Sequence, residues 1–335
     1  MIVRRLAALV LAALVALAAA CGDDGPGAGT DGGTTRVDLV LDWFPNADHA
    51  GVYGAVGEGF FADRGLDVRP TVPSDPAAAL KEVGAGRADF AVSYEPEVLL
   101  ARGEGVPVVA VGALVTRPLN SIIVREDSGI TRPRDLEGRT VGSAGLPLER
   151  PLLDTVVRAD GGDPSRVRVR NVGYNLSPAL ASGRVDAVVG AYWNIELVEL
   201  EAQGIEARAF RVDDHGVPPF DELVLVTSDR LIAERPQVVR DMLAALRRGQ
   251  DWAAADHAGA VDHLLDANPD LERDIVREQV RLTAPLLSPD DRETLDMEPE
   301  RWREFARWMR AAGLLERPVD VDAAMTTDFL PPRRG

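Results

Sequence analysis

The sequence predicts an α/β protein of two like lobes with a helical extension at the C-terminal end. Three observations carry this expectation. Leu39 to Val68 reads strand, loop, helix, strand, the repeat of a parallel sheet. Gly86-Arg87-Ala88-Asp89, followed by an apolar strand and Tyr94, returns as Gly183-Arg184-Val185-Asp186, followed by Ala187-Val188-Val189 and Tyr192. Recurrence of a whole supersecondary unit points to two lobes built alike. From Arg230 onward the apolar spacing is helical.

Taken in order, Leu39-Val40-Leu41 is a strand broken by Asp42-Trp43-Phe44-Pro45, and Asn46 can cap a helix whose core face carries Val52, Tyr53, Val56 and Phe60. Gly65 ends that unit, and Asp67 to Val72 is the next strand. Pro76 to Val83 is a short helix, and Phe90-Ala91-Val92 a strand with Ser93, Tyr94 and Glu95 at its carboxyl end. Val108 to Leu114, Ser121 to Val124, Arg139 to Ser143, Arg166 to Val172, Glu206 to Val212 and Leu223 to Thr227 read as further strands, with a helix at about Leu148 to Ala159. The loop Ser143-Ala144-Gly145 can offer amide hydrogens to a polar group, but it lacks a full dinucleotide or phosphate-loop fingerprint. Helices are expected at Pro236 to Ala254, Ala258 to Leu265, Leu271 to Thr283 and Pro299 to Ala312. Trp302, Phe305, Trp308 and Met309 share a face of the last, as packing residues.

The formal charge is −17 and Lys81 is the sole lysine; with no basic stripe, nucleic-acid binding is not expected. Met1 to Arg5 and the unbroken apolar run Leu6 to Ala20 read as a signal peptide over residues 1–20. The run ends at Cys21, the only cysteine of the chain, in a pattern resembling a bacterial lipoprotein signal; an ordinary secretory signal is the alternative. Residues 21–35, rich in Gly, Asp and Thr, would be a flexible tether from the lipid anchor. A lone cysteine permits no intramolecular disulfide and no cysteine metal cluster, and no metal or cofactor is expected.

Ligands of open α/β sheets sit beyond the carboxyl ends of strands. Trp43, Asn46 and His49 fall there: an aromatic face, an amide and an imidazole, suited to a flat polar ligand. The loops after Leu41, Val92 and Val189 are expected to converge on one crevice between the lobes. No Ser/His/Asp set, metal-ligand spacing or paired carboxylate motif stands out, and His215, His257 and His263 are scattered.

These residues together resemble a known family, the pyrimidine-precursor-binding lipoproteins of bacterial ABC importers, related to the fungal thiamine-pyrimidine synthases. The resemblance runs from about Val37 to Leu330. It rests on Leu41-Asp42-Trp43-Phe44-Pro45-Asn46 with His49, Gly59-Phe60-Phe61 with Gly65-Leu66-Asp67-Val68, Ser93-Tyr94-Glu95-Pro96, Arg117-Pro118-Leu119-Asn120-Ser121, Asp127-Ser128-Gly129-Ile130, and Gly190-Ala191-Tyr192-Trp193 with Glu196.

The resemblance implies the type II periplasmic-binding fold: two α/β lobes joined by two crossings, placed near Arg125 and near Pro219. Lobe one would comprise residues 36–124 and 221–330, and lobe two residues 125–220. The implied ligand contacts are Trp43, Asn46, His49 and Tyr94 from lobe one and Tyr192, Trp193 and Glu196 from lobe two, with Glu95, Asn120 and Asp221 in second rank and a hinge role open for Glu95. Glu196 would accept hydrogen bonds from an exocyclic amine and a ring N–H, which favours an aminopyrimidine.

The implied protein is a membrane-anchored extracytoplasmic monomer. It would capture formylaminopyrimidine or hydroxymethylpyrimidine and deliver it to a permease with a cytoplasmic ATPase, performing no chemistry itself. Riboflavin or sulfonate and nitrate carriers on the same fold are the alternatives, followed by an enzyme like the synthases. The synthase branch consumes an active-site histidine beside a cysteine-rich iron site, and this chain has no cysteine beyond Cys21.

Overall fold

A computed structural model describes residues 34–75 and 77–332. The expected signal peptide, Cys21 and most of the tether lie outside those residues. The strands are β1 (Thr35–Val40), β2 (Leu66–Thr71), β3 (Phe90–Ser93), β4 (Val108–Val115), β5 (Asn120–Arg125), β6 (Thr140–Ser143), β7 (Arg168–Asn171), β8 (Ala187–Tyr192), β9 (Ala207–Arg211) and β10 (Leu223–Ser228). They form two five-stranded sheets, ordered β2-β1-β3-β10-β4 and β7-β6-β8-β5-β9.

The two sheets repeat one plan. In each, three strands run parallel, and a strand that has just crossed from the other lobe inserts antiparallel beside the third. The recurring Gly-Arg-x-Asp segments do the same work in both. Gly86 and Gly183 turn the chain at φ +69° and +68°, a conformation that costs glycine nothing. Asp89 and Asp186 then lock the third strand to the first: each carboxylate accepts a backbone N–H, from Asp38 at 3.1 Å and from Thr140 at 2.8 Å.

β5 belongs to lobe two, which corrects the expected crossing point. It pairs antiparallel with β8 and β9, so the first crossing is residues 116–119 rather than the vicinity of Arg125. Pro118 explains the break, because it can donate no ladder hydrogen bond and ends the strand that β4 begins. The chain returns through residues 212–222, which hold Pro218 and Pro219.

Sandwiched strands read as unbroken apolar runs. β3, β4 and β10 are buried at every residue. β7 is the opposite case, an exposed edge carrying Arg168 and Arg170, charges that discourage pairing with another chain. The C-terminal helices cover lobe one. Pro236–Ala255 lies against Ala50–Gly57, where a Cβ on Gly249 would come within 2.2 Å of the Gly51 carbonyl, so backbone meets backbone. Pro299–Ala311 buries Trp302, Phe305 and Met309; Phe305 stacks on Trp308 and meets Phe220 at a tilt of 33°. No helix among the described residues is long and apolar enough to cross a membrane.

Candidate functional site

The carboxyl ends of β1, β3, β6 and β8 point at one cleft between the lobes, as the strand-end rule requires. It holds about 560 Å³ of unoccupied space, its open mouth included. Lobe one lines it with Asp42, Trp43, Asn46, Tyr94, Glu97 and Glu222, and lobe two with Asn120, Ala144, Leu146, Leu148, Glu149, Gly190, Tyr192, Ile195 and Glu196. Five lining residues are carboxylic acids, and none is arginine or lysine.

The loop after β1 is fixed from within. Asn46 Oδ1 accepts the N–H of Asp48 at 2.8 Å and caps the short turn Ala47–His49, while its own N–H is given to His49 Nδ1 at 3.3 Å. An imidazole that accepts at Nδ1 carries its proton on Nε2. That proton goes to Asp42 Oδ1 at 2.8 Å. The Tyr94 hydroxyl donates to the other oxygen, Oδ2, also at 2.8 Å. Asp42 is therefore held by two side chains and cannot swing. Burial, then the neighbouring Asp42 charge, pushes the Tyr94 phenol well above its usual range.

At the crossing, buried Glu222 is bound by four donors. Oε2 accepts the N–H groups of Leu119 (2.6 Å) and Asn120 (2.9 Å), and Oε1 accepts Asn120 Nδ2 (2.7 Å) and the Tyr192 hydroxyl (3.1 Å). Burial outweighs these bonds and pushes its carboxyl up to about 7. Glu149, the first residue of the helix Glu149–Ala159, folds back on the loop after β6. It accepts the N–H groups of Ala144, Gly145 and Leu146 and the Ser143 hydroxyl. It too is pushed up to about 7 by burial. Those amides, which the sequence offered to a ligand anion, are thus occupied by the protein's own carboxylate. Glu196 opens the helix Glu196–Ala202 and accepts the Tyr192 N–H at 2.7 Å. Burial raises it well above the carboxylate range, with Glu199 adding to the shift.

An aromatic cluster stands at the cleft edge. Trp43 meets Tyr174 of lobe two edge to face at 4.5 Å between centroids, and Phe44 meets the same ring at 4.7 Å. Phe44 is half exposed, and the Tyr174 hydroxyl donates to the Pro73 carbonyl at 3.3 Å.

Of the ten expected ligand contacts, the structure brings Trp43, Asn46, Tyr94, Asn120, Tyr192 and Glu196 together at the cleft. Four others do not line it. His49 is sealed behind Asp42 with no exposed surface. Trp193 lies under the Arg211 guanidinium, 4.8 Å from the ring centroid, its indole N–H buried without a partner. Glu95 and Asp221 hold each other: Glu95 Oε2 accepts the Asp221 N–H at 2.7 Å, and Asp221 Oδ2 accepts Trp302 Nε1 at 2.8 Å. They pin the returning crossing to the start of the helix Glu95–Gly103, outside the cleft lining.

The sequence reading missed Asp42, Glu97, Glu149 and Glu222. Asp42 sat inside a motif already singled out and was read only as a strand breaker. Glu97 and Glu149 look like ordinary first-turn acids of helices. Glu222 meets Asn120 across 102 positions, and no local pattern reports that.

The model of the NMT1/THI5-like family matches residues 46–260. The formylaminopyrimidine-binding protein of Halalkalibacterium halodurans is 34% identical over 90% of this chain and 92% of its own. The 4-amino-5-hydroxymethyl-2-methylpyrimidine phosphate synthase of Legionella pneumophila is 26% identical over 89% and 93%. Among solved structures, the alkanesulfonate-binding protein SsuA of Xanthomonas axonopodis pv. citri, bound to MOPS, superimposes with a TM-score of 0.71 at 17% identity, over 88% of this chain and 99% of its own. That likeness is one of fold, and the two-lobed periplasmic-binding architecture is common to both. By its match over most of its length, the chain belongs to the NMT1/THI5-like family.

Proposed function

We propose that this protein is the solute-binding component of an ABC importer and captures a thiamine pyrimidine precursor, formylaminopyrimidine or hydroxymethylpyrimidine. One observation carries the reading: the cleft combines the Trp43 ring and two tyrosines with five acids and no basic residue. A flat ring stacks on the indole, and exocyclic amine and ring N–H groups find acceptor oxygens in Glu196 and Asp42. A sulfonate or nitrate would enter the same space unpaired, against the field of those acids.

The 34% identity to a formylaminopyrimidine-binding protein supports the ligand class. Kinship with a phosphate synthase raises catalysis as the second reading. The seclusion of His49 speaks for carriage, because the one imidazole near the cleft is wholly engaged with Asp42 and Asn46. On this reading the protein works outside the cytoplasmic membrane, tethered through Cys21.

The test is a thermal-shift and calorimetric screen of the mature protein with the two pyrimidines, riboflavin, an alkanesulfonate and nitrate. A pyrimidine at one hundred times its Kd is expected to stabilise the fold by about 2.7 kcal/mol. Glu196→Gln should weaken that ligand by roughly 0.5–1.5 kcal/mol, the net worth of a hydrogen bond to a group that burial keeps neutral. Response to the sulfonate or to riboflavin alone, or product appearing on incubation, overturns the reading.

A further inference from the structure

Tyr174 of lobe two touches lobe one yet lines no part of the cleft. Its ring meets Trp43 edge to face at 4.5 Å and Phe44 at 4.7 Å with the planes tilted by 50°, and its hydroxyl donates to the Pro73 carbonyl at 3.3 Å. Burial, then the charges of Asp75 and Asp42, pushes the Tyr174 phenol up to about 12, so the hydroxyl stays a donor at neutral pH. Trp43, by contrast, does line the cleft, and it also packs against the apolar cluster of lobe two that holds Ala144 and Leu176. Tyr174 therefore reaches the ligand space through Trp43.

The loop that carries Tyr174 is built to present it. Gly173 turns the chain at φ +56°, and Asn171 Oδ1 accepts the Gly173 N–H at 2.9 Å. Asn175 gives both its backbone N–H, at 3.2 Å, and its side-chain amide, at 3.3 Å, to the Val172 carbonyl. Buried Leu176 then anchors the start of the helix Leu176–Ala181. Topology puts the contact where it has most leverage. The two crossings join the β4 and β10 side of one sheet to the β5 and β9 side of the other. β2, which leads to Pro73, and β7, which leads to Tyr174, are the opposite edges of those sheets. A hinge motion about the crossings moves these far edges most, so the Tyr174 contacts are the first to part as the lobes open.

We infer that Tyr174 is a positioning residue for the ligand ring: from lobe two it fixes the orientation of the Trp43 indole and shuts the far mouth of the cleft, so that stacking on Trp43 and closure of the lobes occur together. The inference deepens the reading of a pyrimidine carrier and rests on it, because it needs an aromatic ligand on Trp43. In the open protein the indole loses its lobe-two neighbours and is free to turn. Closure restores them, and an indole already held in one orientation costs less ordering when a ring stacks on it. A ring so stacked leaves only after Tyr174 has withdrawn, so the residue acts on release rather than on capture.

The test measures Kd by calorimetry and the release rate by stopped-flow displacement, for formylaminopyrimidine and hydroxymethylpyrimidine on the mature wild type, Tyr174→Phe and Tyr174→Ala. Tyr174→Ala is expected to raise Kd about tenfold, the scale of one or two aromatic pairs, through faster release, with the association rate within about threefold of wild type. Tyr174→Phe keeps the ring and should stay within about threefold of wild type in both measurements. A rise in Kd below about threefold for Tyr174→Ala overturns the inference, and so does a rise carried by slower association with release unchanged. Equal losses in Tyr174→Phe and Tyr174→Ala overturn it too, because they assign the effect to the hydroxyl on Pro73 and not to the ring on Trp43. A tyrosine that only stiffens the loop would lower the melting temperature of the ligand-free protein and leave release unchanged. Should Tyr174→Ala melt below the wild type, Tyr174→Leu takes its place under the same expectations, since it keeps the bulk and removes the ring. Failure of the wild type to bind either pyrimidine overturns the carrier reading itself, an outcome seen without any variant, and this inference falls with it.

Discussion

Glu222 displays at a single residue how the cleft trades stability for chemistry. Four donors surround a carboxylate whose burial still pushes it up to about 7, well above the 4.5 of an ordinary glutamic acid. The folded chain therefore holds this proton more tightly than the unfolded chain does. Its contribution to stability is complete below pH 4.5 and is lost as pH rises through 7. Glu97 and Glu149, both about 7, act in the same direction. The ligand-free protein is thus expected to be more stable to urea at pH 5 than at pH 8. Glu222→Gln keeps the shape without the titration and should flatten the slope between those limits by up to about 1.4 kcal/mol per pH unit. Identical slopes for wild type and variant would contradict this assignment. Such residues leave little trace in a sequence. Trp43 and Tyr94 were legible because each follows an apolar strand, whereas the meaning of Glu222 depends on a partner that only tertiary folding brings near.

Among the elements, the third strand of each lobe was the most legible, because Gly-Arg-x-Asp marks a turn, a clamp and a strand within a few residues. The lobe to which β5 belongs was not. β5 is apolar like β4, and only Pro118 hints that the chain has changed sheets before Asn120. The C-terminal helix Pro299–Ala311 was rightly read as packing, yet one of its aromatics also carries a polar duty. Trp302 has no exposed surface, and its Nε1 is the donor to buried Asp221 at the returning crossing. Trp302→Phe keeps an aromatic ring but removes that donor and leaves a void. It should cost roughly 2–4 kcal/mol in urea unfolding, combining a lost hydrogen bond to a carboxylate with a cavity. A cost below about 1 kcal/mol, the range of an ordinary surface change, would mean that Asp221 finds another donor.

For the whole molecule, the question is what holds the two lobes at their observed separation. Besides the Glu222 contacts at the crossing, one buried polar contact lies away from the cleft. Asn194, in the loop after β8 of lobe two, donates its amide to Asp48 Oδ1 of lobe one and to Thr283 Oγ1 of the helix Arg273–Leu287, each at 2.7 Å. Asp48 is wholly buried and pushed up to about 7 by that burial, and its second oxygen has no partner, so it depends on this contact. The contact lies behind the cleft, beside His49, and meets the cleft lining through the Asn46 side chain, which accepts the Asp48 N–H, and through Ile195, the neighbour of Asn194 in sequence.

Asn194→Ala removes the bridge without altering the cleft wall. If closure is a two-state equilibrium, weakening a contact made only when the lobes are together lowers the closed population and reduces apparent affinity by the same fraction. The expected result is a larger radius of gyration for the ligand-free variant by small-angle scattering, restored by saturating pyrimidine, and a Kd raised about three- to tenfold, equivalent to roughly 0.7–1.4 kcal/mol. A variant that keeps both radius and affinity while losing only thermal stability would show that Asn194 stiffens the fold in every state and takes no part in closing it.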